Sequence, residues 1–386
     1  MRMSAMVLCA ALAFPSGGST LAAEDAAPVV LGGVFDMTGD GAAYGVPSSR
    51  GAELRVRQIN EAGGVLGRKL ELSITDAASN DGQTKQAVRD QLDADPEPVA
   101  LFGLSESGPA LIAGKESASG ERLFLTSGAT SPKLPSEVPG YLFLACFGDN
   151  VQAAAAADYA YGKLSARTAA VLYDDGYTYT NLLQGYFREA FEGLGGETVS
   201  LVSFKGPEGF TQVLDRIGDA DIVFLAAETP QDALKMVGEL RAKGFEQPVV
   251  GGDGFDGEEV WQGHEAISGV YYTTHAYFGA DRKEGPAAAF SDAYAAAHDG
   301  ERPNGFAGLG YDAAGLLAHA IETAGSDDPD AVRAALANTT GYQGVTGTIS
   351  YVDGSPVPLK SVTVMGIDKG KPVFQEEVLP KSVPKP

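Results

Sequence analysis

The sequence predicts an α/β protein built from two similar halves, each containing a parallel β-sheet. Short apolar segments of strand length alternate with helix-length segments along most of the chain, and this alternation is typical of parallel sheets covered by helices. The alternation continues through two successive series that meet near residue 150, with no low-complexity linker between them. We therefore expect the chain to cross between the halves more than once, and such crossings would form a hinge beside a cleft.

The N-terminus has the three-part pattern of a secretory signal peptide. Arg2 supplies a basic region, residues 6–14 form an apolar core that is too short to span a membrane, and small residues follow this core. We expect cleavage after Ala22 or Ala23, so that residues 1–23 are the signal peptide. This interpretation predicts export to the periplasm.

The first series predicts strands and helices in alternation. The first strand, residues 28–35, is a continuous apolar run, as expected for a strand that is buried on both faces. One helix is indicated by Ala52, Val56 and Ile59 at helical spacing, and Gly63 and Gly64 end it. The predicted strands are residues 28–35, 70–75, 99–102, 123–125 and 141–146, and the predicted helices are residues 48–62 and 82–92.

The second series repeats this pattern and is followed by a different C-terminal part. Its predicted strands are residues 169–173, 198–204, 221–226 and 248–251, with helices at residues 181–194, 210–217 and 231–243. After these come a strand at 270–274 and helices at 286–298, 305–323 and 329–338. The tail predicts a hairpin of 346–351 with 359–367, turning at Asp353 and Gly354.

The length, charge and cysteine content of the chain limit the classes of function and partner that it can have. The chain has 386 residues, which suggests about two domains, and its formal net charge is −23 with no cluster of Lys or Arg. This charge argues against nucleic acid and against anionic membrane surfaces as partners, and it suits a small ligand. Without the signal peptide Cys146 is the only cysteine, so we expect no internal disulfide and a buried thiol.

Two predicted strands end in small polar loops. The strand at 99–102 runs into Ser105 and Ser107, and the strand at 123–125 runs into a loop that contains Gly128 and Thr130. Ligands of open α/β sheets bind outside the carboxyl ends of the strands, where hydroxyls and free backbone N–H groups can hold an anion. We expect these loops to hold the carboxylate of a small molecule, although Ser and Thr also occur there as ordinary helix caps.

The order of these landmarks resembles that of the type I periplasmic binding proteins, specifically the Leu/Ile/Val-binding proteins that deliver amino acids to ABC importers. The matching segments are residues 38–45 (TGDGAAYG), 50–72, 102–107, 124–134 (FLTSGATSPKL), 172–179 and 251–255 (GGDGF). The resemblance covers the mature chain and implies two Rossmann-like lobes joined by three crossover segments. It places lobe one at 28–146 plus 276–352 and lobe two at 147–275 plus 353–386.

The resemblance also implies a ligand site between the lobes. The positions that hold the ligand's α-carboxylate fall on Ser107, Gly128 and Thr130, and the acid that holds the α-ammonium falls on Asp253. A zwitterion needs such neutral donors at one end and an acid at the other. Asp253 could also be a turn residue that bonds its own backbone.

Aromatic positions of the family fall on residues that would cover the ligand's side chain. Tyr44 is the aromatic of the first loop, and Phe306 lies on a late helix. The aromatic of the second lobe falls on Tyr177 or Tyr179, and the alignment does not decide between them. Each of these rings could equally serve packing alone.

Three positions depart from the family pattern. Glu228 stands where the family usually has Tyr, Asp253 is one carbon shorter than the family's Glu, and Glu106 lies near a missing disulfide cysteine. An added carboxylate favours a ligand with an extra positive charge or extra donors, because a buried unpaired carboxylate is costly. Glu228 could instead face solvent, or pair with the other lobe when the cleft closes.

No catalytic constellation accompanies these features. The four histidines lack metal-binding spacing, and no phosphate-binding or nucleophile motif is complete. We therefore expect no enzyme activity, no cofactor and no metal. The resemblance implies a monomeric solute-binding protein that captures a branched-chain or related amino acid for the permease of an ABC importer. The alternatives are a receptor for amides, urea or aromatic acids, and a ligand sensor for a membrane signalling protein.

Overall fold

The computed structural model describes residues 27–386, and the predicted signal peptide lies outside them. The strands are β1 (Val29–Phe35), β2 (Leu70–Asp76), β3 (Ala100–Gly103), β4 (Phe124–Thr126), β5 (Leu142–Leu144), β6 (Thr168–Asp174), β7 (Glu197–Phe204), β8 (Ile222–Ala226), β9 (Val249–Gly251), β10 (Val270–Thr274), β11 (Tyr342–Gly344), β12 (Gly347–Ile349), β13 (Val362–Asp368) and β14 (Lys371–Val378).

The helices alternate with these strands. They are α1 (Ala42–Glu61), α2 (Asp81–Leu92), α3 (Ser107–Ser119), α4 (Leu134–Glu137), α5 (Asp149–Gly162), α6 (Thr178–Gly193), α7 (Gly206–Phe210), α8 (Pro230–Ala242), α9 (Glu258–Trp261), α10 (Pro286–Ala297), α11 (Gly305–Ala324) and α12 (Pro329–Ala337). Two 3₁₀ turns cover Thr211–Arg216 and Asp253–Phe255.

Two main sheets organise the molecule. The first has the order β2-β1-β3-β4-β5 and is parallel throughout. The second has the order β14-β13-β10-β9-β8-β6-β7, and it is parallel except for β13 and β14, which add an antiparallel edge. We call each sheet with the helices packed on it the first and the second lobe. This arrangement confirms the predicted fold class.

The central strands of both sheets are buried on both faces. In β3 the side chain of Phe102 packs into one cluster of the first lobe and that of Leu101 into the cluster on the other face. In β8 Phe224 and Leu225 divide in the same way between the two faces of the second sheet. This two-sided burial explains why the strands read as continuous apolar runs rather than as alternating patterns.

The chain passes between the sheets three times. It leaves the first sheet after β5, and it returns after β10 to place α11 and α12 against the core of the first lobe, where Leu317 and Leu336 pack with Val29. After β12 it crosses again and adds β13 and β14 to the second sheet. These passages confirm the three predicted crossover segments.

The predicted elements agree with the structure in most places. Every predicted strand up to β10 lies within two residues of an observed one. Helix α1 begins at Ala42 rather than at the predicted residue 48, and α5 was not predicted at all. The alanines of α5 are buried almost all round, so its sequence lacks the amphipathic period that identifies a surface helix.

The predicted C-terminal hairpin is wrong. Residues 347–349 pair with β11, and β13 pairs with β14 and β10, so the segments 346–351 and 359–367 form no ladder with each other. The residues that form a hairpin turn are instead Lys369 and Gly370, with φ of 50° and 71°. Two consecutive residues with positive φ are typical of the two-residue loop, the tightest connection between antiparallel strands. Cys146 is buried and free, as predicted.

Helices α1 and α11 approach each other closely enough to need glycine. A Cβ atom built on Gly310 would lie 1.9 Å from the carbonyl oxygen of Ser48, and one built on Gly51 would lie 1.9 Å from that of Ala307. The N-terminal turns of the two helices therefore lie side by side. This contact holds a late segment of the chain against the first lobe.

We predict that Gly310→Ala destabilises the protein by about 1–3 kcal/mol, since the added methyl group forces the two helices apart. Gly238→Ala is the matched control, because Gly238 also lies inside a helix but a Cβ there would meet nothing within 4 Å. The control should be neutral or more stable by up to about 1 kcal/mol. Urea unfolding measures both values, and equal stability of the two variants would contradict the proposed close contact.

Candidate ligand-binding cleft

Most of the predicted site residues converge where the lobes face each other. A small cavity of about 20 Å³ opens there. Its walls are formed by Tyr44, Ser105, Thr130 and Phe306 of the first lobe, and by Tyr179, Glu228, Asp253 and Gly254 of the second. The loops after β3, β4, β8 and β9 supply several of these residues, as expected for a ligand site at the carboxyl ends of parallel strands.

The first lobe presents hydroxyl groups that lack partners. The Oγ atoms of Ser105 and Ser107 are buried and accept or donate no hydrogen bond within the described residues. Ser105, which the sequence reasoning did not select, lines the cavity, whereas Ser107 begins α3 just behind it. Buried polar atoms of native proteins are normally paired, so these hydroxyls indicate a ligand that completes them.

Gly128 supports the cavity wall from behind. A Cβ atom on Gly128 would lie 2.6 Å from Ser105 Oγ and 3.1 Å from Cδ1 of Phe306. Thr130 lies on the wall itself, and its Oγ1 accepts a long hydrogen bond of 3.4 Å from Nε2 of Gln152. The loop after β4 thus approaches the cavity with its backbone as well as with a hydroxyl.

Tyr44 connects the two lobes across the cavity. Its hydroxyl donates to the carbonyl oxygen of Glu228 at 2.6 Å and lies 3.3 Å from that of Gly254. Its ring packs on Phe306 with ring centroids 4.4 Å apart. Because the tyrosine belongs to α1 and both carbonyls belong to the second lobe, the structure is a closed form of the cleft.

Asp253 is held by donors from two distant segments. Its Oδ1 accepts from Nε2 of Gln152 at 2.8 Å, and its Oδ2 lies 2.9 Å from Nε2 of His275. The backbone N–H of Asp253 donates to Oε1 of Gln152 at 3.1 Å, and Thr273 donates to the same oxygen at 2.8 Å. The carboxylate is therefore fixed in one orientation at the cavity wall.

The sequence reasoning missed Gln152 and His275. Gln152 lies on α5, the helix that was not predicted, so no signal pointed to it. His275 was weighed only as a metal ligand, but it stacks on Phe147 with centroids 4.2 Å apart and bonds Asp253. Burial lowers the pKa of His275, although its bond to Asp253 opposes this, and a neutral imidazole that donates from Nε2 fits the arrangement.

The two tyrosines left open by the sequence occupy different positions. Tyr179 is buried at the cavity, where its hydroxyl accepts from the backbone N–H of Gly254 at 3.1 Å. Tyr177 is 40% exposed at the N-terminus of α6 and does not line the cavity. Tyr179 is thus the aromatic residue of the second lobe that the structure brings to the site.

Glu228 does not face solvent, so the first alternative considered for it is wrong. The residue is 6% exposed, and its Oε2 is buried without a hydrogen-bond partner among the described residues. Burial raises the pKa of this carboxyl well above its ordinary value, and the nearby carboxylates of Glu106 and Asp253 raise it further. Only the backbone carbonyl of Glu228 pairs with the other lobe, through Tyr44.

Further carboxyl groups lie close to the cavity. Burial, together with the neighbouring Asp36 carboxylate, raises the pKa of Glu106 to about 8. Burial also raises the pKa of Asp149 to about 8, although Thr130 and Gln152 hydrogen-bond to this carboxyl. The Oδ2 atom of Asp149 has no partner within the described part of the chain. The cleft is accordingly an acidic environment.

Metal clusters and membrane-spanning helices are absent from residues 27–386. No group of three or more His, Cys, Asp or Glu side chains there could hold a metal ion. In the same residues no helix has the length and apolarity needed to cross a membrane. A wider cavity of about 230 Å³ lies beside β10 and the start of α11, but none of its lining side chains holds a buried polar atom without a partner.

Comparisons with known proteins agree with this architecture. Residues 28–371 match the family model described as periplasmic binding protein. The chain therefore belongs to the periplasmic binding protein family, of the type I fold and the Leu/Ile/Val-binding class. Members of this family are extracytoplasmic solute-binding proteins.

Individual relatives share nearly the whole length. The chain is 27% identical over 372 residues to the Leu/Ile/Val-binding protein homolog 1 of Brucella abortus, covering 95% of this chain and 96% of that protein. It is 29% identical to LivJ of Streptococcus pneumoniae, a branched-chain amino acid transporter substrate binding protein solved with isoleucine, with a TM-score of 0.81 over 93% of this chain and all (100%) of that one.

A third likeness concerns the fold alone. A solute binding protein of an ABC transporter from Rhodopseudomonas palustris BisB5, solved with 3,4-dihydroxy benzoic acid, is 20% identical and has a TM-score of 0.80. The match covers 92% of this chain and 99% of that one. The fold thus occurs with ligands of more than one chemical class.

We predict that the free energy of unfolding of the ligand-free protein falls as the pH rises from about 5 to about 8. In this range the folded protein keeps a proton on Asp149 that the unfolded chain has released, because burial raises the pKa of this carboxyl from 3.8 to about 8. Asp149→Asn removes this titration and should flatten the profile by up to about 1.4 kcal/mol per pH unit. Urea unfolding at several pH values measures the slope.

Asp215→Asn is the control for this experiment, because Asp215 is exposed on the second lobe. Its profile should follow that of the wild type. Equal slopes for the Asp149→Asn variant and the control would show that Asp149 is already ionised in the folded protein.

Proposed function

We propose that this chain is the periplasmic solute-binding protein of an ABC importer and that it captures a branched-chain or related amino acid. The observation that carries the proposal is one cavity between the lobes with the partnerless hydroxyl of Ser105 on its first-lobe side and a fixed carboxylate, Asp253, on its second-lobe side. A zwitterion presents a carboxylate and an ammonium group, and these opposite walls complement both ends.

In this proposal the first lobe binds the common end of the ligand. The hydroxyls of Ser107 and Thr130 and the backbone of Gly128 hold the α-carboxylate, with the N-terminus of α3 close behind them. Ser105 joins this set, because its free Oγ lines the cavity. Asp253 then receives the α-ammonium when the second lobe closes.

The aromatic residues cover the ligand's side chain. Tyr44 and Phe306 form one apolar wall, and Tyr179 faces them from the second lobe. Lobe one, residues 28–146 plus 276–352, and lobe two, residues 147–275 plus 353–386, close as units. Because ligand contacts both lobes only in the closed form, binding shifts the population towards it.

The partners follow from this role. The signal peptide directs a monomer to the periplasm, where the permease subunits of the importer recognise the closed form. The protein performs no chemistry on its ligand. A receptor for amides, urea or aromatic acids is the weaker alternative, because a ligand without a cationic nitrogen leaves the Asp253 carboxylate without a countercharge. A periplasmic sensor would close in the same way, and a transport assay with the permease distinguishes the two roles.

We predict that at least one α-amino acid raises the melting temperature of the wild-type protein by several degrees, since a ligand that binds only the folded form at 100 times its Kd stabilises it by about 2.7 kcal/mol. Asp253→Asn should abolish this rise, because the ammonium group loses its counterion. Asp175→Asn is the control, since Asp175 is exposed in the same lobe. Differential scanning fluorimetry with amino acids, amides and aromatic acids measures the shifts.

Two results would contradict the proposal. If no α-amino acid changes the melting temperature while an amide or aromatic acid does, the ligand class is wrong. If mass spectrometry shows that a bound amino acid is converted to another compound, the protein is an enzyme and not a binding protein.

A further inference from the structure

The cavity contains one more carboxyl group than an ordinary zwitterion can pair. An α-amino acid with an apolar side chain brings a single ammonium group, whereas both Asp253 and Glu228 line the cavity. Both oxygens of Asp253 already accept hydrogen bonds from Gln152 and His275. The Oε2 atom of Glu228 is buried and has no partner among the described residues.

No cationic side chain of the protein compensates Glu228. Neither Lys nor Arg is among the residues that line the cavity. The charged groups that act most strongly on this carboxyl are themselves carboxyls, namely Glu106, Asp253, Asp149 and Asp174. A buried acid in such surroundings needs a donor or a cation, and within this cavity only the ligand can supply one.

Glu228 lies on the side of the cavity where the side chain of the ligand is expected. Its backbone carbonyl accepts from the hydroxyl of Tyr44, so the residue lies at the aromatic wall that Tyr44 forms with Phe306. The hydroxyls expected to hold the α-carboxylate belong to the loops after β3 and β4 of the other lobe. A ligand that spans these groups would extend its side chain along the rings towards Glu228.

We propose that Glu228 selects an α-amino acid whose side chain ends in a cationic amine. The inference rests on the proposed function, since it assumes an α-amino acid in this cleft and adds the chemistry of its side chain. The aliphatic part of such a ligand packs on Tyr44 and Phe306, and the terminal ammonium pairs with Glu228.

Isothermal titration calorimetry with matched ligand pairs tests the proposal. The pairs are 2,4-diaminobutyrate with norvaline, ornithine with norleucine, and lysine with 2-aminoheptanoate, because the members of each pair differ only in a terminal ammonium or methyl group. For the wild type, the best diamino acid should bind at least about tenfold tighter than its neutral partner, since an ionic hydrogen bond replaces an unpaired buried acid.

Substitutions test whether Glu228 causes the preference for the diamino acid. Glu228→Gln should lose the preference for the diamino acid, because the amide has no negative charge to pair with the terminal ammonium. Glu208→Gln is the control, since Glu208 is exposed in the same lobe, and it should behave as the wild type. A preference that survives in Glu228→Gln would overturn the proposal.

A measurement on the wild type alone keeps the test independent of the variant's folding. Titration in buffers of different ionisation enthalpy reports protons released on binding. The diamino acid should release more protons than its neutral partner, because its ammonium group displaces the proton held by the buried Glu228 carboxyl. Equal release would overturn the proposal.

The outcomes separate this inference from the function on which it rests. If the neutral amino acids bind as tightly as the diamino acids or more tightly, the amino-acid receptor stands and the role of Glu228 is wrong. If neither member of any pair binds and an amide or aromatic acid does, both proposals are wrong.

Discussion

The contact between α1 and α11 is the constraint on which the rest of the structure depends. At Gly51 and Gly310 the backbones of the two helices pack with no side chain between them. Because α11 follows the second sheet in the chain, this contact requires the chain to leave the second lobe and return to the first. The same contact aligns the N-terminal turns of the helices, so that Tyr44 and Phe306 form one aromatic wall. Topology and site geometry thus share one cause.

The second lobe places acidic side chains at a buried wall of the cavity. Asp253 is stabilised by donors that come from α5 and from the segment after β10, two elements of the second lobe that are far apart in the sequence. These bonds hold the carboxylate in place but leave the lobe with Glu228 and Asp149 uncompensated. Burying such groups costs free energy that pairing with a cation offsets. A ligand that pairs with these acids would favour closure of the lobe, and this pairing is a physical basis for coupling ligand recognition to closure of the cleft.

The sequence was most informative where one local pattern decides the structure. The strands could be predicted because two-sided burial demands continuous apolar residues, and the loops after β3 and β4 followed from them. Helix α5 could not be predicted in the same way, because its alanines are buried on most sides and show no period. The C-terminal hairpin failed because Asp353 and Gly354 do form a turn with positive φ, but the strands that pair flank Lys369 and Gly370.

The site residues also differ in whether a local sequence pattern could predict them. Tyr44, Thr130 and Asp253 were accessible through motifs that stand next to predicted strands or helix starts. Gln152 and His275 were not, because their role arises only when the fold of the second lobe brings α5 and the segment after β10 to the same carboxylate. Local sequence patterns therefore identify the groups that touch a ligand more readily than the groups that orient them. Since the orienting groups determine which acid remains unpaired, the specificity of this cleft is a property of its tertiary structure.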